Sequence, residues 1–326
     1  MNYFSTNPYG LPRFPNISAN LPDDISEITS DDPLAEAMLE YGGSSYHAFS
    51  FMKHIHYEPV DEEEGQRQTS NHAVMCAAYN DRLIHRPIPY PKRILDCGAG
   101  SCTWAIEVAR MYPHCKVTAI DVTFNLVPDD LPPNLEFKRA DLNYRLPFNP
   151  NTFDVINSRM VVGGVDAKKW ESYINQLYYI AKPGGLVQMT EWSYTPRSDT
   201  NSLNKESGLY KWASLFHKTM ERPLGENRDK AKCPTITEQL NYRMRWSGFK
   251  EVQTTNFKAL TTISSRNFRE AQIGYLNQGS VFRMLDSTIR FQLLYIEHLS
   301  EDEINELQQK AQREAMDPKI AAYFNV

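Results

Sequence analysis

The sequence has 326 residues, of which 41% are hydrophobic, and a formal net charge of -5. This length suits one large domain, or one domain with a lid, that buries an ample core. The absence of a strongly basic stripe argues against nucleic acid as the main partner, and no apolar run approaches the roughly 20 residues that a membrane span needs.

The cysteines point to a reducing compartment. Their number is odd and their spacing matches neither a disulfide framework nor a metal site, so we expect neither, and we expect no metal. The N-terminus lacks the basic and apolar blocks of a secretory signal. We therefore expect a cytoplasmic protein, with the nucleus as the alternative. The five cysteines are Cys76, Cys97, Cys102, Cys115 and Cys233.

Residues 1–40 contain scattered prolines and polar residues, which predicts a flexible N-terminal extension, with a short helix from Pro33 to Tyr41 at its end. We predict a catalytic domain over residues 41–326. The acidic run at Asp61 favours a helix N-terminus there on dipole grounds. The domain divides into a core, residues 91–192 and 248–260, and a helical cap, residues 200–247 and 261–315.

Residues 93–121 read as a strand, a glycine turn, a helix and a second strand. The first strand ends at Asp96, Gly98 and Gly100 make the turn, and the second strand ends at Asp121. Such a unit binds a nucleotide at the carboxyl ends of parallel strands. A dinucleotide fingerprint would place a third glycine where Thr103 stands.

The charge of the turn indicates which nucleotide binds. Asp96 opens the turn, and no Lys or Arg occurs between Ile94 and Val108. A pyrophosphate would be repelled there, whereas a ligand with an ammonium and a sulfonium would be attracted. We therefore predict S-adenosylmethionine as the cofactor. Asp121, with Val122 beside it, would accept the ribose hydroxyls.

Further strands end in polar residues. Asp141 follows the third strand and would accept the adenine amino group, while the amide of Leu142 donates to the ring. The fourth strand leads into Ser158 and Arg159, and the fifth delivers Glu191. Short apolar strands alternating with helices predict an α/β fold with a doubly wound sheet.

These segments, in their order and spacing, resemble the LaeA-like fungal methyltransferases, which are class I S-adenosylmethionine-dependent enzymes. The resemblance covers roughly residues 42–324. It implies a Rossmann-like seven-stranded sheet, work on secondary metabolites for many members, and cofactor contacts that include Tyr46, Ser158 and Arg159. The matching segments are Tyr46-His47, the acidic run before Arg67, residues 93–100 with Trp104-Ala105, residues 132–134, residues 157–160, and residues 183–185 followed by Glu191.

The C-terminus departs from that pattern. The chain stops at Val326, where relatives usually continue into an antiparallel seventh strand. Either that strand is missing or another segment covers the sheet at that place. An exposed strand edge would favour a homodimer.

Methyl transfer from a sulfonium is an in-line displacement, for which a protein supplies proximity, alignment and a dry site. A phenol, hydroxyl or amine acceptor also needs a base, and the candidates are His47, Glu191 and His217. His47 could instead hold the cofactor, and the other two could be structural. Arg159 suits an acidic acceptor, the cofactor carboxylate or an ion pair equally well.

Three functions follow. The first is methyl transfer to a small apolar natural product, which an aromatic-rich cap favours. The second is regulation of secondary metabolism through partners. The third is a rearrangement or cyclisation that uses the charge of the sulfonium. The cap aromatics are Trp212, Phe216, Tyr275, Phe282, Phe291 and Tyr295.

Overall fold

The computed structural model of the protein describes residues 37–224 and 229–326. Its strands are β1 (Met38–Tyr41), β2 (Ser44–His47), β3 (Arg93–Cys97), β4 (Lys116–Asp121), β5 (Leu135–Arg139), β6 (Phe153–Arg159), β7 (Ala181–Thr190), β8 (Lys258–Leu260) and β9 (Tyr323–Asn325). Its α-helices are α1 (Ala48–Met52), α2 (Glu62–Ala78), α3 (Thr103–Met111), α4 (Trp170–Ile180), α5 (Gly208–Glu221), α6 (Leu240–Trp246), α7 (Phe268–Ser287), α8 (Arg290–Tyr295) and α9 (Glu301–Ala315).

Five strands form a parallel sheet in the order β5-β4-β3-β6-β7. The chain leaves β3 towards β4 on one side and returns to β6 on the other. This reversal creates a crevice at the carboxyl ends of β3 and β6, where open α/β sheets bind ligands. The prediction of a Rossmann-like doubly wound sheet is confirmed.

Both faces of the sheet are covered because successive strand residues point to opposite sides. Ile94 packs with Trp104 and Val108 of α3 on one face. Leu95 packs with the cluster that contains Trp170 and Leu177 of α4 on the other. Burial on both faces explains why the strands read as continuous apolar runs instead of alternating ones.

The segment before the sheet differs from the predicted helix at Pro33–Tyr41. Residues 33–36 of that prediction lie outside the described residues, and β1 pairs with β2 as an antiparallel hairpin. The helix prediction is wrong over Met38–Tyr41, which form β1 instead. The two residues that follow, Gly42 and Gly43, have φ of +57° and +82°. Two consecutive residues with positive φ suit a hairpin turn.

Helix α2 begins as predicted. Asp61 is its N-cap, and its side chain accepts a hydrogen bond from the Glu64 amide at 3.0 Å. The helix lies beside the carboxyl edge of the sheet and packs along α7, where Ser280 donates to Asn71. The predicted 1–40 extension lies outside the described residues up to residue 36, and β1 starts before the predicted boundary at residue 41.

The last residues of the chain form an antiparallel strand, whose presence the sequence alone did not decide. Strand β9 pairs with β8, which occupies only the end of the predicted core segment 248–260. On its other side, the Ser193 amide donates to the Asn325 carbonyl at 2.9 Å. Strand β9 therefore lies between β8 and the segment after β7, so this place offers no argument for a homodimer, which stays a prediction.

Helices α5, α7, α8 and α9 pack together next to α2. Trp212 and Phe216 of α5 are buried in this layer, and Trp212 Nε1 donates to the Leu285 carbonyl at 3.0 Å. Tyr275 and Phe282 instead face solvent. Across the two described ranges, no helix has both the length and the apolar character that crossing a membrane requires.

Candidate functional site

A cavity lies between α2 and the carboxyl ends of β3, β4 and β5. Of the ten residues predicted to contact the cofactor, eight line it: Asp96, Gly98, Gly100, Asp121, Val122, Asp141, Leu142 and Arg159. They lie at or just after the carboxyl ends of four strands, the fourth being β6, which ends at Arg159. The crevice where the strand order reverses therefore brings most of the predicted residues together around one cavity.

The glycine turn forms the floor of this cavity. Gly98 and Gly100 have φ of +66° and +51°, which glycine adopts at little cost. A Cβ at Gly98 would lie 2.4 Å from Val161 Cγ1, and one at Gly100 would lie 2.3 Å from Gln68 Oε1. Both glycines are thus required by the backbone conformation and by the close approach of neighbouring side chains.

Asp121 is fixed by main-chain amides. Its two carboxylate oxygens accept from the amides of Gly100 at 2.8 Å and Val122 at 2.7 Å. Burial raises the pKa of Asp121, and these amide bonds oppose the rise. The acid is therefore held at the end of β4 with its orientation set by the turn.

Asp96 and Asp141 are held by side-chain amides. Asn157 donates to Asp96 Oδ1 at 2.8 Å, and the backbone and side-chain amides of Asn143 donate to Asp141 Oδ1 at 2.9 and 2.8 Å. Burial raises the pKa of Asp96 to about 6 and raises that of Asp141 as well. We call Asp96, Asp121 and Asp141 the carboxyl end of the cavity.

Two predicted cofactor residues lie elsewhere. Tyr46 is buried against Phe51 and Phe291 in a separate aromatic cluster. Ser158 is also buried and accepts a hydrogen bond from the Tyr173 hydroxyl at 2.8 Å, on the side of the sheet that α4 covers. Neither side chain lines the cavity, so their predicted contacts with the cofactor have no geometric support.

The three predicted bases lie outside the cavity as well. His47 is buried, with Nδ1 2.7 Å from the Ser50 hydroxyl. His217 lies in a surface groove on α5, near Lys218 and Glu221. A catalytic role for either stays a prediction.

Glu191 supports the wall of the cavity. Its two oxygens accept from the amides of Val161 at 3.0 Å and Val162 at 3.2 Å, and burial raises its pKa to about 8. Since both oxygens are engaged, Glu191 holds Val161 against the glycine turn. Its predicted role as a base also stays a prediction.

Comparison with known proteins identifies this arrangement. Residues 94–185 match a methyltransferase domain family. The chain is 27% identical over 293 residues to the secondary metabolism regulator LAE1 of Cochliobolus heterostrophus, covering 87% of this chain and 91% of that protein. It is 30% identical over 214 residues to the protein-methionine methyltransferase laeA of Emericella nidulans, covering 64% of this chain and 56% of that protein.

The chain carries an S-adenosylmethionine-dependent methyltransferase domain and is similar to the LaeA-like proteins. It thus spans nearly all of LAE1 and about half the length of laeA. A solved structure of Haemonchus contortus phosphoethanolamine N-methyltransferase 2 with S-adenosyl-L-methionine aligns with a TM-score of 0.43 at 14% identity, over 90% of this chain and 70% of that one.

The cavity fits S-adenosylmethionine. Its carboxyl end combines the buried Asp96 and Asp141 with the half-buried Asp121, and the glycine turn contains no Lys or Arg. That set attracts an ammonium and a sulfonium and repels a phosphate. Asp121 and Asp141 would hold the ribose and the adenine, and Asp96 would lie near the positive charges.

Sequence reasoning missed the other end of the cavity. We call Glu58, Arg67 and Tyr194 the polar end. Arg67 donates to both oxygens of Glu64, each at 2.6 Å, in a buried ion pair. Burial raises the pKa of Glu58 to about 7. The acidic run before Arg67 indicated a helix start and contributed to the family resemblance, but its spacing did not place Glu58 or Arg67 in the cavity.

Proposed function

We propose that this chain transfers the methyl group of S-adenosylmethionine to a small-molecule acceptor bound at the polar end of the cavity. One observation supports this most: a single cavity joins the carboxyl end to the polar end. A methyl donor and an acceptor could therefore share one enclosed space. The bound cofactor supplies an electrophilic methyl group on a sulfonium.

The protein's own residues would position the reactants and exclude water. Gln68 of α2 accepts from the Ser101 amide at 2.9 Å, which places α2 over the glycine turn. The buried ion pair between Glu64 and Arg67 joins two residues of the same helix and stabilises its first turns. A covered site lowers the local dielectric and strengthens every charge interaction inside it.

Glu58 is the residue of the polar end that could accept a proton. Glu58 lines the cavity, and its carboxyl lies beside Gly163, with Oε1 3.0 Å from the position that a Cβ on that glycine would take. Because burial raises its pKa to about 7, the group can both take up and release a proton near neutral pH. Five acids line the cavity in total, which favours an acceptor that is neutral or cationic, such as an amine: Glu58, Glu64, Asp96, Asp121 and Asp141.

The aromatic residues of the cap do not support an apolar acceptor. Trp212 and Phe291 lie in other clusters, and Tyr275 and Phe282 are exposed. We therefore place more weight on the polar acceptor than on an apolar natural product. The side chain of Tyr295 lies outside the described ones.

Calorimetry and mass spectrometry test the proposal. The protein should bind S-adenosylmethionine and its demethylated product, and incubation with a panel of amines, phenols and carboxylic acids should add one methyl group to an acceptor. An isomer of unchanged mass would favour the rearrangement. Uptake of NAD or ATP with no heat from either cofactor form would refute the proposal at its first step.

Regulation of secondary metabolism is the second candidate, favoured by the match to nearly the whole of LAE1.

The relative named as a protein-methionine methyltransferase suggests a thioether acceptor. A thioether has no proton to lose, so Glu58→Gln should leave its methylation unchanged. An amine or phenol acceptor should react more slowly in Glu58→Gln, while Glu63→Gln, an exposed control on α2, should match the wild type.

A further inference from the structure

Three potential metal ligands meet between α2 and α3. His72 and Cys76 stand one turn apart on α2, and Glu107 faces them from α3. His72 Nε2 lies 3.0 Å from Glu107 Oε2 and 3.3 Å from Cys76 Sγ. All three donor atoms lie within 4.8 Å of one another. The cysteine spacing in the sequence could not reveal this cluster, because the third donor belongs to another helix.

We propose that His72, Cys76 and Glu107 bind a zinc ion, with water as the fourth ligand. An imidazole, a thiolate and a carboxylate are the three ligand types of tetrahedral zinc. Bond lengths of about 2.0–2.3 Å place tetrahedral ligands about 3.3–3.8 Å apart. The two separations that involve His72 need to grow by only a few tenths of an ångström, and Cys76 Sγ and Glu107 lie within 4.8 Å of each other.

The His72 ring turns Nε2, and not Nδ1, towards the other two donors. His72 is buried, and within the described chain its Nδ1 has no hydrogen-bond partner. Nε2 faces both Glu107 and Cys76, but a neutral imidazole offers at most one proton there. With the other tautomer, the Nε2 lone pair would face a carboxylate oxygen. A cation at this point would instead receive a lone pair from all three donors.

Charge and access also fit. Zinc binding would release the thiol proton of Cys76 to solvent, and the thiolate and the carboxylate would then balance the two positive charges of the ion. The Glu107 side chain is 46% exposed, which gives the ion an entrance and leaves room for a water ligand. Arg159 lies close enough to influence both His72 and Cys76, so its charge would weaken binding to some extent.

The place of the site gives it a structural role. Arg67, Gln68 and Asn71 line the cavity from α2, and α3 leaves the glycine turn. A zinc ion between His72 and Glu107 would join the helix that covers the cofactor to the helix that begins at its binding turn. We therefore expect bound zinc to raise the thermal midpoint of unfolding.

Cobalt substitution and chelator competition test this site. The full chain, freed of metal by a chelator, should take up one Co²⁺ per chain with the near-ultraviolet thiolate band and visible bands of four-coordinate cobalt. Zn²⁺ should displace the cobalt. Cys76→Ser should lose the thiolate band, and Glu107→Gln should weaken zinc binding by at least about tenfold, the loss that even an outer-shell substitution can cause.

Cys233→Ser is the matched control, since Cys233 is also half-buried but lies outside this cluster. It should keep the spectrum and the zinc affinity of the wild type. Circular dichroism and binding of the demethylated cofactor would show that each variant is folded. A wild type that binds no Co²⁺, or a thiolate band that survives in Cys76→Ser, would overturn the proposal, whatever the methyl-transfer assays show.

Discussion

Replacing Gly98 with alanine tests how the glycine turn is packed. The new Cβ would lie 2.4 Å from Val161 Cγ1, at a φ of +66°. An alanine with left-handed backbone costs about 1–2 kcal/mol, and overpacking costs about 1–3 kcal/mol. Val161 cannot easily move away, because it is buried and its amide donates to Glu191 at 3.0 Å. We expect Gly98→Ala to destabilise the fold by about 2–5 kcal/mol.

Gly184→Ala separates the cost of the left-handed backbone from the cost of overpacking. Gly184 has a φ of +76°, but a Cβ there would meet nothing within 4 Å. This control should cost only the backbone term of about 1–2 kcal/mol. Denaturant unfolding of both variants, with binding of the demethylated cofactor as a second measurement, gives the comparison. Only Gly98→Ala should also weaken cofactor binding, since Gly98 lines the cavity.

A double-mutant cycle isolates the contact itself. Val161→Ala removes the Cγ1 atom that a Cβ at Gly98 would strike. In the Val161→Ala background, Gly98→Ala should therefore cost about 1–3 kcal/mol less than in the wild type. Zero coupling, or a Gly98→Ala cost equal to that of Gly184→Ala, would refute the packing argument.

Three other expectations follow from single contacts. Asp121→Asn should weaken binding of S-adenosylmethionine by at least about tenfold in calorimetry, given the worth of a charge-assisted hydrogen bond, while the exposed Asp129→Asn should not. Glu191 has a folded pKa of about 8, above its ordinary value, so its stabilising contribution is full below about pH 4.5 and declines as the pH rises towards 8. Glu191→Gln should gain stability relative to the wild type over that range in urea titrations, and parallel pH profiles would contradict the raised pKa. Trp212→Phe leaves a buried carbonyl of α7 without its donor and should cost about 1–3 kcal/mol; the exposed Trp246→Phe should be silent.

The carboxyl end of the cavity could be predicted because parallel strands impose it. Asp96, Asp121 and Asp141 each follow an apolar run, and the carboxyl ends of neighbouring parallel strands meet at one edge. Strand periodicity and the glycine turn were therefore enough to bring these residues together. The same reasoning gave the sheet itself, which five strands and their flanking helices confirm.

The polar end could not be predicted in this way, because it depends on packing between distant segments. Glu58 and Arg67 come from the segment before the sheet, and Tyr194 follows its last parallel strand. Helix α2 is held over the cavity partly by its packing against α7. In that contact Ser280 donates a hydrogen bond to Asn71, which lies about two hundred residues earlier in the sequence. No local periodicity encodes such a contact. Tyr46 shows the limit of a motif resemblance, because its ring packs against Phe291 outside the cavity and its contact with the cofactor stays a prediction.

Acids at the ends of these strands differ in role because their partners differ. Asp121 ends β4 and Glu191 follows β7, and each engages both oxygens with backbone amides. Glu191 does so beneath Val161, outside the cavity, whereas Asp121 lines it. Glu58, which sequence periodicity did not indicate, is an acid of the cavity with a pKa near neutrality. Strand position alone therefore identifies where acids gather, and only their hydrogen-bond partners and their access to the cavity separate a group that holds the fold from one that can meet a ligand.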